Sequence, residues 1–126
     1  MSEIRATTIS DLAGTGPATL TKQSAAKAWA NLNGTGTIAL RDSFNISSVT
    51  DNSTGNYTFN FSSAMSDANY SIGTCGYSDV GVNYHCHQEL WGTNISAGSY
   101  RVQMFYAALN SFDTDYVLNQ VHGDLA

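Results

Sequence analysis

From Trp29 onward the apolar residues of this chain recur at every second position, and that period decides what it can fold into. Tyr57, Phe59 and Phe61 alternate with Thr58, Asn60 and Ser62; Tyr100, Val102, Met104 and Tyr106 do the same. Ile38, Leu40, Phe44 and Ile46 share one parity with Asp42 interrupting, Tyr70 and Ile72 follow, then Val82, Tyr84, Cys86 and Leu90. Near the C-terminus Tyr116 and Leu118 stand beside Val117 and Val121. A period of two marks strands with one face buried. Turn chemistry separates the runs at Asn33-Gly34, Asp51 to Gly55, Ser66-Asp67, Val80-Gly81, Gly92 to Asn94 and Ser111 to Thr114. About seven short strands with no βαβ spacing predict an all-β fold, an antiparallel β-sandwich of jelly-roll-like form.

Composition supports this. Only 12% of the residues are charged, and Asn, Ser, Thr and Gly take the places usually held by Lys and Glu. Asn, Ser and Gly disfavour helix interiors and suit polar, uncharged sheet faces. A hydrophobic fraction of 42% argues against disorder. One domain of this length buries roughly two thirds of its unfolded surface.

Residues 1–25 differ. Ile4, Ile9, Leu12 and Leu20 are isolated apolar positions around Gly14-Thr15-Gly16-Pro17, too few for a core. The segment is either a flexible tail or ordered by docking on another chain. The expected division is therefore residues 1–25 as an attachment stub and 26–126 as the folded knob.

Several function classes are set aside. The formal charge is −5, and Arg5, Lys22, Lys27, Arg41 and Arg101 form no basic footprint for nucleic acid. No run approaches the roughly 18 apolar residues of a membrane span, and the first residues read as no signal peptide, which predicts folding in a reducing cytoplasm. A hairpin turning at Val80-Gly81 would set Cys75 opposite Cys86 at a hydrogen-bonded pair. Side chains there are farther apart than at the alternate pairs, so pairing and compartment both disfavour a disulfide.

His85-Cys86-His87 is the most suggestive local motif, since residues two apart on a strand share a face. Around a threefold axis three such pairs would offer six nitrogens to one metal. With no second ligand cluster in the sequence, His85 and His87 read instead as a solvated strand face, and no cofactor is expected. Asp113-Thr114-Asp115 and Asp51 to Gly55 lack the ligand spacing and closing Glu of a calcium loop and read as turns. The Asn-x-Ser/Thr sequons follow from the abundance of those residues. No nucleophile elbow, phosphate loop or zinc spacing occurs. An enzyme remains the alternative, a glycan-cleaving domain with carboxylates from Asp79, Glu89 and Asp113.

One resemblance gives the reading a direction. Lys22 to Trp29 runs into Asn33-Gly34-Thr35-Gly36-Thr37, then Arg41-Asp42-Ser43-Phe44-Asn45, Val49-Thr50-Asp51-Asn52, Gly55-Asn56-Tyr57-Thr58, Asn60-Phe61 and Met65-Ser66-Asp67-Ala68-Asn69-Tyr70. This order resembles a C-terminal domain of bacteriophage tail fibres and other virion structural proteins of marine phages. It covers about residues 17–72 closely and the remainder only in general plan. The resemblance implies a homotrimeric knob, a fibre tip or a capsid or tail decoration protein, made in the host cytoplasm and joined to other virion proteins through residues 1–25. It carries no binding residue across.

If loops alternate between two ends, the first, third and fifth connections (Asn33 to Gly36, Ser63 to Asp67, Gly92 to Gly98) fall at the end away from the stub. Asn33, Ser66, Trp91, Thr93, Asn94 and Ser96 are then the candidate contacts to a host surface glycan. Trp91 either stacks on a sugar face or joins the core.

Overall fold

The computed structural model describes residues 25–77, 87–89, 95–106 and 110–126. These residues form strands and turns, with no helix among them. The strands are β1 (Ala28–Asn33), β2 (Ala39–Phe44), β3 (Ile46–Ser53), β4 (Asn56–Phe61), β5 (Ser71–Tyr77), β6 (His87–Glu89), β7 (Ile95–Ser96), β8 (Ser99–Tyr106), β9 (Asn110–Ser111) and β10 (Tyr116–His122). They make two antiparallel sheets. One has the order β2-β1-β10-β5; the other has β3-β4-β8-β6, with β7 and β9 also pairing with β8.

The core lies between the sheets, and the two inner faces are unequal. The second sheet supplies bulk: Tyr57, Phe59, Phe61, Tyr100, Val102 and Met104 are all buried, and the rings of Phe59 and Tyr100 stack with centroids 5.1 Å apart. The first sheet supplies small and branched groups, Ala28, Ala30, Leu32, Val117 and Val121. Large residues facing small ones let the layers interdigitate at interior density. The alternation of β4 and β8 is the sequence period made visible.

The period misleads at β2. Asn31 pairs with Asp42 but Leu32 pairs with Leu40, so a bulge takes up Arg41. A bulge inserts one residue and turns the remainder of the strand over. Leu40 therefore packs on the core while Phe44, of the same parity, is 53% exposed. Asn45 follows at φ +57°, reverses the chain, and returns Ile46 to the core. What reads as one strand from Ile38 to Ile46 is two strands in different sheets. Trp29 and Leu118 likewise point outward, at 38% and 37% exposure.

The extra reversal at Asn45 shifts the later described connections to the end opposite the expected one. The proximal end, where the chain arrives at Lys27, also carries Asn45, the β4–β5 connection, the β7–β8 turn and the C-terminal residues. Phe61 N–H donates to Gly98 O, Met65 N–H to Ala97 O, and Ser66 N–H to Asp124 O. The distal end carries the β1–β2 and β3–β4 turns and the segment before β10, where Gly34 N–H donates to Thr114 O.

The expected hairpin turn at Val80-Gly81 lies outside the described residues. β5 pairs with β10 and β6 with β8, in different sheets. Cys75 is an exposed free thiol on β5; Cys86 lies outside the described residues.

Candidate functional site

Two surfaces stand out, the distal turns and the outer face of the four-stranded sheet. The distal turns are held by one buried phenol. Tyr57, fully buried on β4, places its hydroxyl 2.9 Å from both Gly34 O and Asp113 Oδ1. Asp113 Oδ1 also accepts Gly55 N–H at 2.6 Å. Three connections distant in sequence are thereby tied together. Burial pushes the Tyr57 phenol well above its ordinary value, reinforced by its hydrogen bond to Asp113 and by the charges of Asp113 and Asp51.

Glycine is required at two of these positions. Gly55 has φ +67°, and a Cβ there would stand 2.5 Å from Phe112 O and 2.7 Å from Met104 O. A Cβ on Gly34 would meet the Tyr57 hydroxyl at 2.5 Å. Asn33 closes its own turn: Oδ1 accepts the Thr35 hydroxyl at 2.9 Å, and Nδ2 donates to Thr35 O at 3.3 Å. The Thr35 hydroxyl is also 3.3 Å from Asp115 Oδ1, and the Arg41 guanidinium donates to Asp115 O while lying 4.1 Å over the Tyr116 ring.

The predicted contacts do not gather at one end. Asn33 is distal, whereas Ser66 and Ser96 are both exposed at the proximal end. Ser96 Oγ accepts Ser99 N–H at 3.1 Å, and the Tyr70 hydroxyl sits 2.9 Å from Ser96 O and Ser99 O. Nearby, Asp67 accepts the backbone and side-chain N–H groups of Asn69, which hold its carboxyl below the usual carboxylate value. Trp91, Thr93, Asn94 and His85 lie outside the described residues. His87 opens β6 opposite Phe105. Of the carboxylates weighed for hydrolysis, Asp113 is engaged in the distal knot, Glu89 ends β6, and Asp79 lies outside the described residues. Among the described residues no three His, Cys, Asp or Glu side chains cluster as metal ligands, and no helix is long and apolar enough to cross a membrane.

The two outer sheet faces are opposite in character. On the six-stranded sheet, Asn52 Nδ2 donates to Asn56 Oδ1 and Thr58 Oγ1, Asn60 Nδ2 to Ser48 Oγ, and Gln103 Nε2 to Ser111 Oγ. Asn56 further accepts Arg101 and donates to Gln103. This is a polar ladder whose groups satisfy one another. The four-stranded sheet instead presents Trp29 beside Phe44, and Leu118 beside Cys75. An open groove of about 570 Å³ runs there between Trp29, Asn31, Leu118 and Gln120, with Ala26 at its margin. Alternation groups Phe44 with Leu40 and Ile46 and leaves Leu118 beside Val117 without a face, so it does not reveal this surface. The neighbouring Ala28 and Ala30, small residues flanking a Trp, are the signal that reveals it.

No protein-family model, no curated protein and no solved structure matches the chain.

Proposed function

We propose that the chain is a structural protein of a bacteriophage virion, a homotrimeric knob serving as a fibre tip or as a capsid or tail decoration. Residues 1–25 join it to other virion proteins, and its distal turns face outward toward a host surface glycan. The observation that carries this reading is the polarity of the fold. Lys27 and the end of β10 lie together at the proximal end, where Lys27 N–H donates to Val121 O at 2.7 Å, which sets the described β1–β2 and β3–β4 turns at the opposite end. The ordered motifs between residues 17 and 72 supply the phage resemblance.

A jelly-roll-like wrap fits the pairing as well. The first described strand pairs with the last, and β4 with β8 and β5 with β10 are further sequence-distant antiparallel partners. The distal turns are rich in Asn, Thr and Gly, whose short donors and acceptors match sugar hydroxyls.

Glycan-array binding by the full chain tests the contact. Thr37→Arg and Thr54→Arg, both at exposed distal positions, are expected to lower binding at least tenfold with melting temperature within about 2 °C, as surface changes usually leave it. Ala68→Arg, at the proximal end, is expected to leave binding within twofold. Loss with Ala68→Arg alone would reverse the orientation. No binding by the unaltered chain would remove the glycan and leave a decoration protein.

A further inference from the structure

The four-stranded sheet carries its bulk on the wrong side for an isolated sandwich. Its inner face holds Ala28 and Ala30, while the residue between them, Trp29, points out. β10 repeats the pattern, with Val117 buried beneath an exposed Leu118. Four of the five exposed large hydrophobics among the described residues, Trp29, Phe44, Tyr77 and Leu118, share this one face. Strands that are apolar on both sides belong to sheets covered on both sides. Four strands about 4.8 Å apart, each six or seven residues long, make a face roughly 20 Å square. The sheet's large apolar side chains are gathered on one face rather than scattered singly over the surface.

Charge identifies the occupant. The chain carries −5 overall, so its copies repel one another across most of their surface. Among the described residues of this face, Arg41 and Asp42 stand adjacent on the edge strand β2 and balance each other. A face with no negative excess on an acidic chain is where a second identical copy approaches without penalty. The centre also has room for a neighbour's side chain, since Gly73 lies opposite Gln120 beside the groove.

We propose that the outer face of the four-stranded sheet is the surface through which copies of this chain assemble, with Trp29, Phe44 and Leu118 as its apolar anchors. This rests on the trimer reading above and assigns its interface, leaving the polar ladder of the other sheet to solvent.

The test uses the full chain. Solution mass across a dilution series gives its assembly state, and maleimide labelling of Cys75 in a Cys86→Ser background reports cover on the face, because Cys75 pairs with Leu118. The expected results are a threefold mass, Cys75 labelling at least tenfold slower than a free thiol, and conversion by Leu118→Asp or Phe44→Asp to a monomer with an unchanged β circular-dichroism signature and fast labelling. Phe44 is on an edge strand, so its variant keeps the test open should Leu118→Asp fail to fold. A trimer that survives Phe44→Asp and labels at Cys75 at the free rate overturns the interface while leaving the trimer intact. A monomer that labels freely overturns both. A monomer in which Cys75 is protected gives the face to residues 1–24 of the same chain and overturns the second-copy assignment.

Discussion

Gly55 shows how much one atom matters here. Its φ of +67° is a conformation that costs an L-residue about 1–2 kcal/mol, and an added Cβ would also press on two backbone carbonyls. Gly36 has a similar φ, +62°, but open space around it. Gly98 has neither constraint. Urea unfolding should therefore rank three alanine variants: Gly55→Ala loses more than about 3 kcal/mol, Gly36→Ala about 1–2, and Gly98→Ala stays within about 0.5 or gains slightly. The two tyrosines of the core diverge in the same way. Tyr57→Phe removes the donor that joins Gly34 O and Asp113, which should cost about 1–3 kcal/mol. The Tyr100 hydroxyl is buried with no partner, so Tyr100→Phe should be neutral or stabilising. The aromatic alternation alone announces both rings as core; it says nothing of which hydroxyl is satisfied.

At the scale of elements the decisive feature is a single-residue corner. Asn45 Nδ2 donates to Lys27 O and Ser63 O, both at 3.0 Å, Oδ1 accepts Ser63 N–H at 2.7 Å, and its backbone oxygen accepts Ser62 N–H. Asn tolerates the left-handed conformation better than other non-glycine residues. Asn45→Gly should keep the corner and lose the bonds, at about 1–2 kcal/mol; Asn45→Asp should cost more, because a carboxylate would face two carbonyl oxygens. Thermal melts that rank Gly as the worse variant would mean that the Ser63 N–H bond, which Asp retains, outweighs the repulsion of the two facing carbonyls. The corner is not legible from alternation, since one residue between Phe44 and Ile46 leaves their parity unbroken. The bulge at Arg41 escapes for a related reason: Asp42 marks an interruption, but not its direction. These two irregularities explain why β4 and β8 are legible from alternation while the Ser63 to Asp67 connection falls at the end opposite to the expected one.

For the molecule as a whole, the layered all-β plan was legible because both sheets obey period two. The unequal core, aromatic on one side and small on the other, gives the chain an alkaline limit. Tyr57 and Tyr100 are fully buried, and burial raises both phenols well above their ordinary value, near 10; Tyr70, half-buried at the rim of the core, is pushed up to about 12 by burial despite its bond to Ser96. A phenol whose value is raised in the folded state contributes its full stability below the unfolded value of about 10. That contribution is lost as pH rises from there toward the folded value, because the unfolded chain releases a proton that the folded chain keeps. Each such group lowers stability by up to about 1.4 kcal/mol per pH unit. The two fully buried phenols together give roughly 3 kcal/mol per unit, with a smaller, solvent-screened share from Tyr70, enough to unfold a domain of ordinary stability within a few pH units of 10. Denaturant melts should be level from pH 7 to about 9.5 and fall above it. Ionisation of Tyr57 and Tyr100, followed by tyrosinate absorbance at about 295 nm, should then accompany loss of the β signature. Tyr100→Phe should remove one proton from the slope while leaving the neutral-pH stability unchanged or higher. A slope identical to that of the unaltered chain would mean that Tyr100 ionises freely and is not part of the core.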